Sequence, residues 1–180
     1  MTGIKPACRR AFKAAIAEFM PMFRLERSAL VPRGDLPYDY LVGDLRLRVQ
    51  YGPLSRQEGF MVELGWLRTA DGYWSTSCLE EPLPPGNGIR IQDACPRGRE
   101  MMKQWSIQSH DDPLRSVFSS PDRAILDAIE ICVVYGTDLL TRVVEREAPN
   151  ALAAWVVTVA DMRAYASARG LDGAAYRQVS

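Results

Sequence analysis

Leu45-Arg46-Leu47-Arg48-Val49-Gln50-Tyr51 and, beyond a polar connection, Phe60-Met61-Val62-Glu63-Leu64-Gly65-Trp66 carry an apolar side chain at every second position. Side chains of a β-strand point alternately to its two faces, so each heptapeptide puts one apolar row on one side. Together they predict a β-hairpin. The connection, residues 52–59, is longer than the two-residue ideal, so the apolar faces must set the register. The opposite row of the first strand, Arg46, Arg48 and Gln50, is expected to stay free at the surface.

Working outward, residues 5–20 predict an amphipathic helix. Phe12, Ala15, Ile16, Phe19, Met20 and Phe23 recur at helical spacing, and Pro21 stops the helix. Residues 23–31 read as a short first strand, and Pro32, Gly34 and Pro37 as a loop. On the other side, Asp71-Gly72 is a turn dipeptide before a strand at 73–79. A loop follows at 80–88, then a fourth short strand at 89–92 and a short helix at 97–107. Ser120, Pro121 and Asp122 form a helix start, and apolar spacing continues from Ile125 to Val144. Gly136 either kinks this helix or divides it, with Thr137 or Asp138 as the new cap. Asn150 is placed to cap a last helix. Leu152, Trp155, Val156, Val159 and Met162 are read as facing in, and Gly170 as the terminator. The fold class is α+β: one domain over 1–180, with a small antiparallel meander of three to five strands packed against an N-terminal helix and C-terminal helices.

A chain of 180 residues is long enough to bury a core without disulfides or a structural metal. Its 22 basic and 22 acidic side chains cancel. The charge is unevenly spread: residues 1–60 hold ten bases and six acids, and residues 105–147 hold four bases and eight acids. The four cysteines form no CxxC pair. No signal peptide or membrane span is read, which makes a reducing cytoplasm the expected location.

The residues that carry chemistry are sparse. His110 is the only histidine, and no G-x-S-x-G elbow is present, so no nucleophile–base arrangement is legible. Zinc sites use three or four Cys or His ligands, and none are grouped here. Asp111 and Asp112, beside His110, leave a carboxylate-held magnesium site open; a solvated turn before Pro113 is the ordinary reading. Gly86-Asn87-Gly88 lacks a third glycine, and no phosphate loop exists. Glu80-Glu81 is a lone acidic pair. Arg46 and Arg48 lack an aromatic platform on their own strand face, so direct nucleic-acid binding is not expected.

The second strand, then Pro96-Arg97-Gly98-Arg99 with Trp105, then Val134-Tyr135-Gly136-Thr137-Asp138-Leu139-Leu140, occur in an order that resembles small bacterial α+β domains found among polymorphic-toxin immunity proteins of the contact-dependent growth inhibition type. The resemblance covers roughly residues 5–145. It implies a cytoplasmic protein that is not an enzyme and takes no cofactor or metal. Its partner would be a cognate toxin domain, a nuclease among the candidates, neutralised by blocking its active site. The surface read for that contact comprises Glu80, Glu81, Asp111, Asp112 and Asp122, with Trp105 or Tyr38 as an aromatic anchor and Arg46 and Arg48 beside them. Two other readings stand: a carboxylate- or metal-dependent hydrolase of the phosphoesterase kind, and a chaperone or adaptor for a secreted protein, which would show an exposed apolar patch.

Overall fold

The structure is a computed structural model that describes residues 4–27, 34–54, 59–68, 88–95, 105–106, 118 and 120–174. Helix α1 (Ile4–Phe19) precedes strands β1 (Arg24–Leu25), β2 (Leu36–Val42), β3 (Leu45–Pro53), β4 (Gly59–Arg68), β5 (Gly88–Arg90) and β6 (Trp105–Ser106). Helix α2 (Pro121–Ile131) passes through a π-helical turn (Cys132–Gly136) into α3 (Thr137–Glu147), and α4 (Leu152–Ser167) follows. The turn predicted at Asp71-Gly72, the strand at 73–79, most of the loop at 80–88 and residues 97–104 of the predicted short helix lie outside the described residues.

The predicted hairpin is present as β3 and β4. Leu47 lies opposite Trp66, Val49 opposite Leu64 and Tyr51 opposite Val62. Strands β1 to β5 are neighbours in chain order, all antiparallel, and β6 adds to β4 beside Phe60. The apolar rows of β2, β3 and β4 share one face and meet the helices there. Aromatic rings link the layers: Phe12 of α1 lies 5.9 Å from Tyr38 and 5.3 Å from Tyr51. Tyr51 stacks on Phe60, and Phe60 on Trp105 at 5.5 Å. Burying this face supplies the largest favourable contribution to folding, because apolar surface leaves water over its whole extent.

Two sequence expectations are corrected here. The loop assigned around Pro37 is instead the start of β2, whose Leu36, Tyr38 and Val42 are buried on the core face. The Pro37 carbonyl accepts from the Glu26 N–H on the β1 side. The missing proline N–H points to that same side, opposite Glu26, so this pair keeps one of its two ladder bonds and β1 ends there, at the edge of the sheet. A two-residue turn with Gly43 at φ +62° joins β2 to β3, as primed hairpin turns require. Trp105, predicted on a helix, lies in β6, where stacking on Phe60 outweighs the local helical pattern.

The helices follow their sequence signals more closely. α1 buries Phe12, Ala15, Ile16 and Phe19, with Met20 and Phe23 beyond its end. The Ser120 hydroxyl accepts the Arg123 N–H at 3.3 Å, and Pro121 opens α2. Gly136 ends the π-turn that separates α2 from α3, and α3 starts without a side-chain cap. A Cβ there would stand 2.8 Å from the Leu64 Cδ1, so glycine lets the π-turn lie close on β4. Thr137 does not cap: it is fully buried and its hydroxyl donates to the Val133 carbonyl. Arg163 of α4 donates to the Val133 and Val134 carbonyls, which the π geometry diverts from the regular ladder. Asn150 does not cap α4 either; it lies in a 3₁₀ turn (Pro149–Ala151), and no side chain caps the helix. Gly170, at φ +78°, terminates α4 as expected.

Candidate protein-interaction surface

Helix α4 is apolar on two opposite sides, with Thr158 and the exposed Asp161 in a narrow stripe between them. Trp155, Val159, Met162 and Ala166 recur at steps of four, three and four, and all are buried. Ala153, Val157, Ala160 and Ala164 recur at the same steps on the opposite side, and all are exposed. At about 100° per residue the two rows lie nearly back to back. The inner row is held firmly. Trp155 donates its indole N–H to the Thr141 hydroxyl at 2.9 Å and packs 6.0 Å from the Tyr40 ring. The outer row is left to solvent: Val157 is 62% and Val156 48% exposed. Val156 was expected to face in. Trp155 and Val159 fill the core position, and the turn of the helix carries Val156 outward.

Three of the four large apolar side chains exposed among the described residues, Val156, Val157 and Tyr165, belong to α4; the fourth is Leu41. A helix apolar on two opposite sides is normally covered on both. Charged groups border the exposed row. The Tyr165 ring rests against Phe19 and under the Arg169 guanidinium. Arg169 pairs with Glu18 of α1 at 3.2 Å. On the other flank Arg163 pairs with Asp138 of α3, whose carboxylate stays largely exposed. An apolar strip with a charged rim is the usual anatomy of a protein–protein contact.

The residues singled out in the sequence are placed differently. Asp122 is exposed at the first turn of α2. Trp105 and Tyr38 are buried: Trp105 donates its indole N–H to Asp127 at 2.7 Å, and Tyr38 packs under Phe12. Neither ring offers an open face. Glu80, Glu81, Asp111 and Asp112 lie outside the described residues.

The polar row of β3 is not free, contrary to expectation. Arg48 is 7% and Gln50 8% exposed. Arg48 grips Asp39 of β2 with two bonds of 2.7 and 2.9 Å, and Gln50 donates to Asp35 at 2.9 Å. Arg46 stands 3.8 Å from the same Asp39 and keeps about a third of its side chain in solvent. Cross-strand neighbours of opposite charge explain this closure. Burial pushes the Asp35 and Glu63 carboxyls above the ordinary carboxylate range, with the Gln50 bond and the Arg90 charge respectively pulling back.

Among the described residues, no three His, Cys, Asp or Glu side chains converge to hold a metal ion. No described helix is long and apolar enough to cross a membrane. No protein-family model, curated protein or solved structure matches the chain. The exposed row of α4 was missed from sequence, although one signal was there: among residues 152–164 only Thr158, Asp161 and Arg163 are polar.

Proposed function

We propose that this chain is a binding protein of the immunity class, acting in the cytoplasm to cover the active site of a cognate toxin domain. The observation that carries this reading is the exposed apolar row on α4, seated on a helix whose other side is locked into the core. An inhibitor of this kind needs a rigid platform and a complementary surface rather than reacting groups. Covering Val157, now 62% exposed, would add about 1–2 kcal/mol to a complex, or about tenfold in affinity. The order of sequence features shared with immunity domains supports the same role.

The product of the neighbouring gene supplies the test. It should arrest growth when expressed alone, and growth should return when this chain is co-expressed. Val157→Asp should abolish the rescue while leaving the circular dichroism spectrum and melting temperature unchanged. A neighbouring product that is harmless without this chain would refute the assignment.

A further inference from the structure

The exposed face of α1 has a charge pattern that its stability does not explain. Lys5, Arg9, Arg10 and Lys13 are its bases, and no acid lies on the helix before Glu18. Only Lys5 lies in the first turn, where a positive side chain opposes the helix dipole. Arg9, Arg10 and Lys13 are exposed, and among the described residues none has a hydrogen bond or ion pair. Other bases are engaged: Arg48 with Asp39, Arg68 with Glu147, Arg163 with Asp138 and Arg169 with Glu18. Arg123 and Arg142 are also exposed but lie on other helices. Arg9, Arg10 and Lys13 lie within one turn, about 6 Å along the axis and about 100° around it.

This ridge continues toward the α4 surface. Glu18, at the far end of α1, is held by Tyr165 of α4 and by Arg169 just beyond its end. Ala14 and Ala17 are exposed between it and the bases. The one acid on α1 is thus paired from the α4 end of the chain, and Arg9, Arg10 and Lys13 have no such ion pair among the described residues.

We infer that Arg9, Arg10 and Lys13 form the charged part of the contact surface, and that the partner presents a compact cluster of carboxylates to them. The inference rests on the protein-binding reading above and names the chemistry of that partner. Charge complementarity selects an acidic protein surface over a nucleic acid. A duplex carries a charge at about every 1.7 Å and would bring phosphates over Asp35 and Glu18, which flank the ridge. The Arg9 charge already acts on Asp35. The two rings beneath the ridge, Phe12 and Tyr38, are buried and offer no platform for a base. A toxin with a basic, nucleic-acid-binding cleft would not meet this ridge with that cleft.

Retention of the full chain on immobilised poly-L-glutamate is the direct test. Wild-type protein should bind at low salt and release near 0.15 M, where the Debye length is about 8 Å. The triple variant Arg9→Glu/Arg10→Glu/Lys13→Glu should lose at least tenfold in retention with an unchanged circular dichroism spectrum. The pair Arg123→Glu/Arg142→Glu should bind as wild type does. Equal retention of wild type and triple variant overturns the inference. So does tighter binding of wild type to duplex DNA or to phosphatidylglycerol vesicles than to poly-L-glutamate. The growth assay with the neighbouring gene is independent of this column: rescue without poly-L-glutamate binding removes only the carboxylate inference, and binding without rescue removes only the toxin assignment.

Discussion

The outer face of the sheet and the outer face of α4 exchange the roles their compositions suggest. The sheet face carries Arg48 and Gln50, and both are buried. The helix face carries Val156 and Val157, and both are open to water. On the sheet each polar group has a partner one strand away, Asp39 for Arg48 and Asp35 for Gln50, so the strip can close without stranding a charge. On α4 the core is already filled by the inner row, and the second apolar row has nothing within the described residues to cover it. Exposure follows the availability of partners more than polarity. The surface that composition marks as sticky is therefore the one to test for binding, and the surface it marks as reactive is structural.

Substitutions can break or sharpen this contrast. The largest effect belongs to the core side of the sheet: Leu47→Asp places a carboxylate where exposure is 0% and should cost more than about 4 kcal/mol, seen as loss of cooperative urea unfolding. Next is Arg48→Ala, which leaves Asp39 nearly buried with only Arg46 at 3.8 Å. It should lower stability by about 3 kcal/mol, and Arg48→Met with Asp39→Leu should recover most of that. A freely tolerated Arg48→Ala would show that the sheet face is open after all.

A smaller, pH-dependent effect is expected at Glu63, whose carboxyl is pushed above its ordinary value by burial. The folded protein then holds a proton that the unfolded chain has already released, so this group's contribution to stability falls as pH rises from the ordinary carboxylate range through the raised value. Glu63→Gln should therefore be more stable than wild type at neutral pH, and chemical denaturation should show the gap closing on acidification. The smallest effect belongs to α4: Val157→Asp should change stability by less than about 0.5 kcal/mol. A clear drop in its melting temperature would mean that the outer row is packed rather than open.

The contrast also shows what the sequence could and could not reveal. The hairpin was legible because its alternation admits one buried face, and α1 because its stripe is narrow. β2 was hidden by Pro37, which reads as a loop residue until the short neighbouring strand shows that its missing N–H costs a single bond at the edge of the sheet. Trp105 was assigned to a helix because Met101, Met102 and Trp105 have helical spacing; its stacking on Phe60 depends on a strand some 45 residues earlier. The pairing of Arg48 with Asp39 depends likewise on the register of β2 against β3. On α4 the difficulty was different. Two apolar rows with identical spacing give the sequence no means of choosing which one faces in, and Val156 was placed on the wrong side of that choice.

The π-turn at Cys132–Gly136 has a consequence for insertions and deletions in this chain. It accommodates one residue more than a regular helix would over the same stretch. Deleting a single residue there would restore unbroken α-helical bonding and, judged locally, improve the helix. Because the π-turn absorbs that residue within one turn, the phase of the helix downstream would be kept, whereas the same deletion within α2 would turn everything downstream by about 100° and draw it back by about 1.5 Å. The deletion in α2 would take Leu140 and Val144 out of the core and re-aim the outer row of α4, while loss of the π-turn itself would cost the Arg163 bonds to the Val133 and Val134 carbonyls. The spare residue thus acts as slack between the two halves of the bundle, and a one-residue deletion should be tolerated at 132–136 far better than within α2.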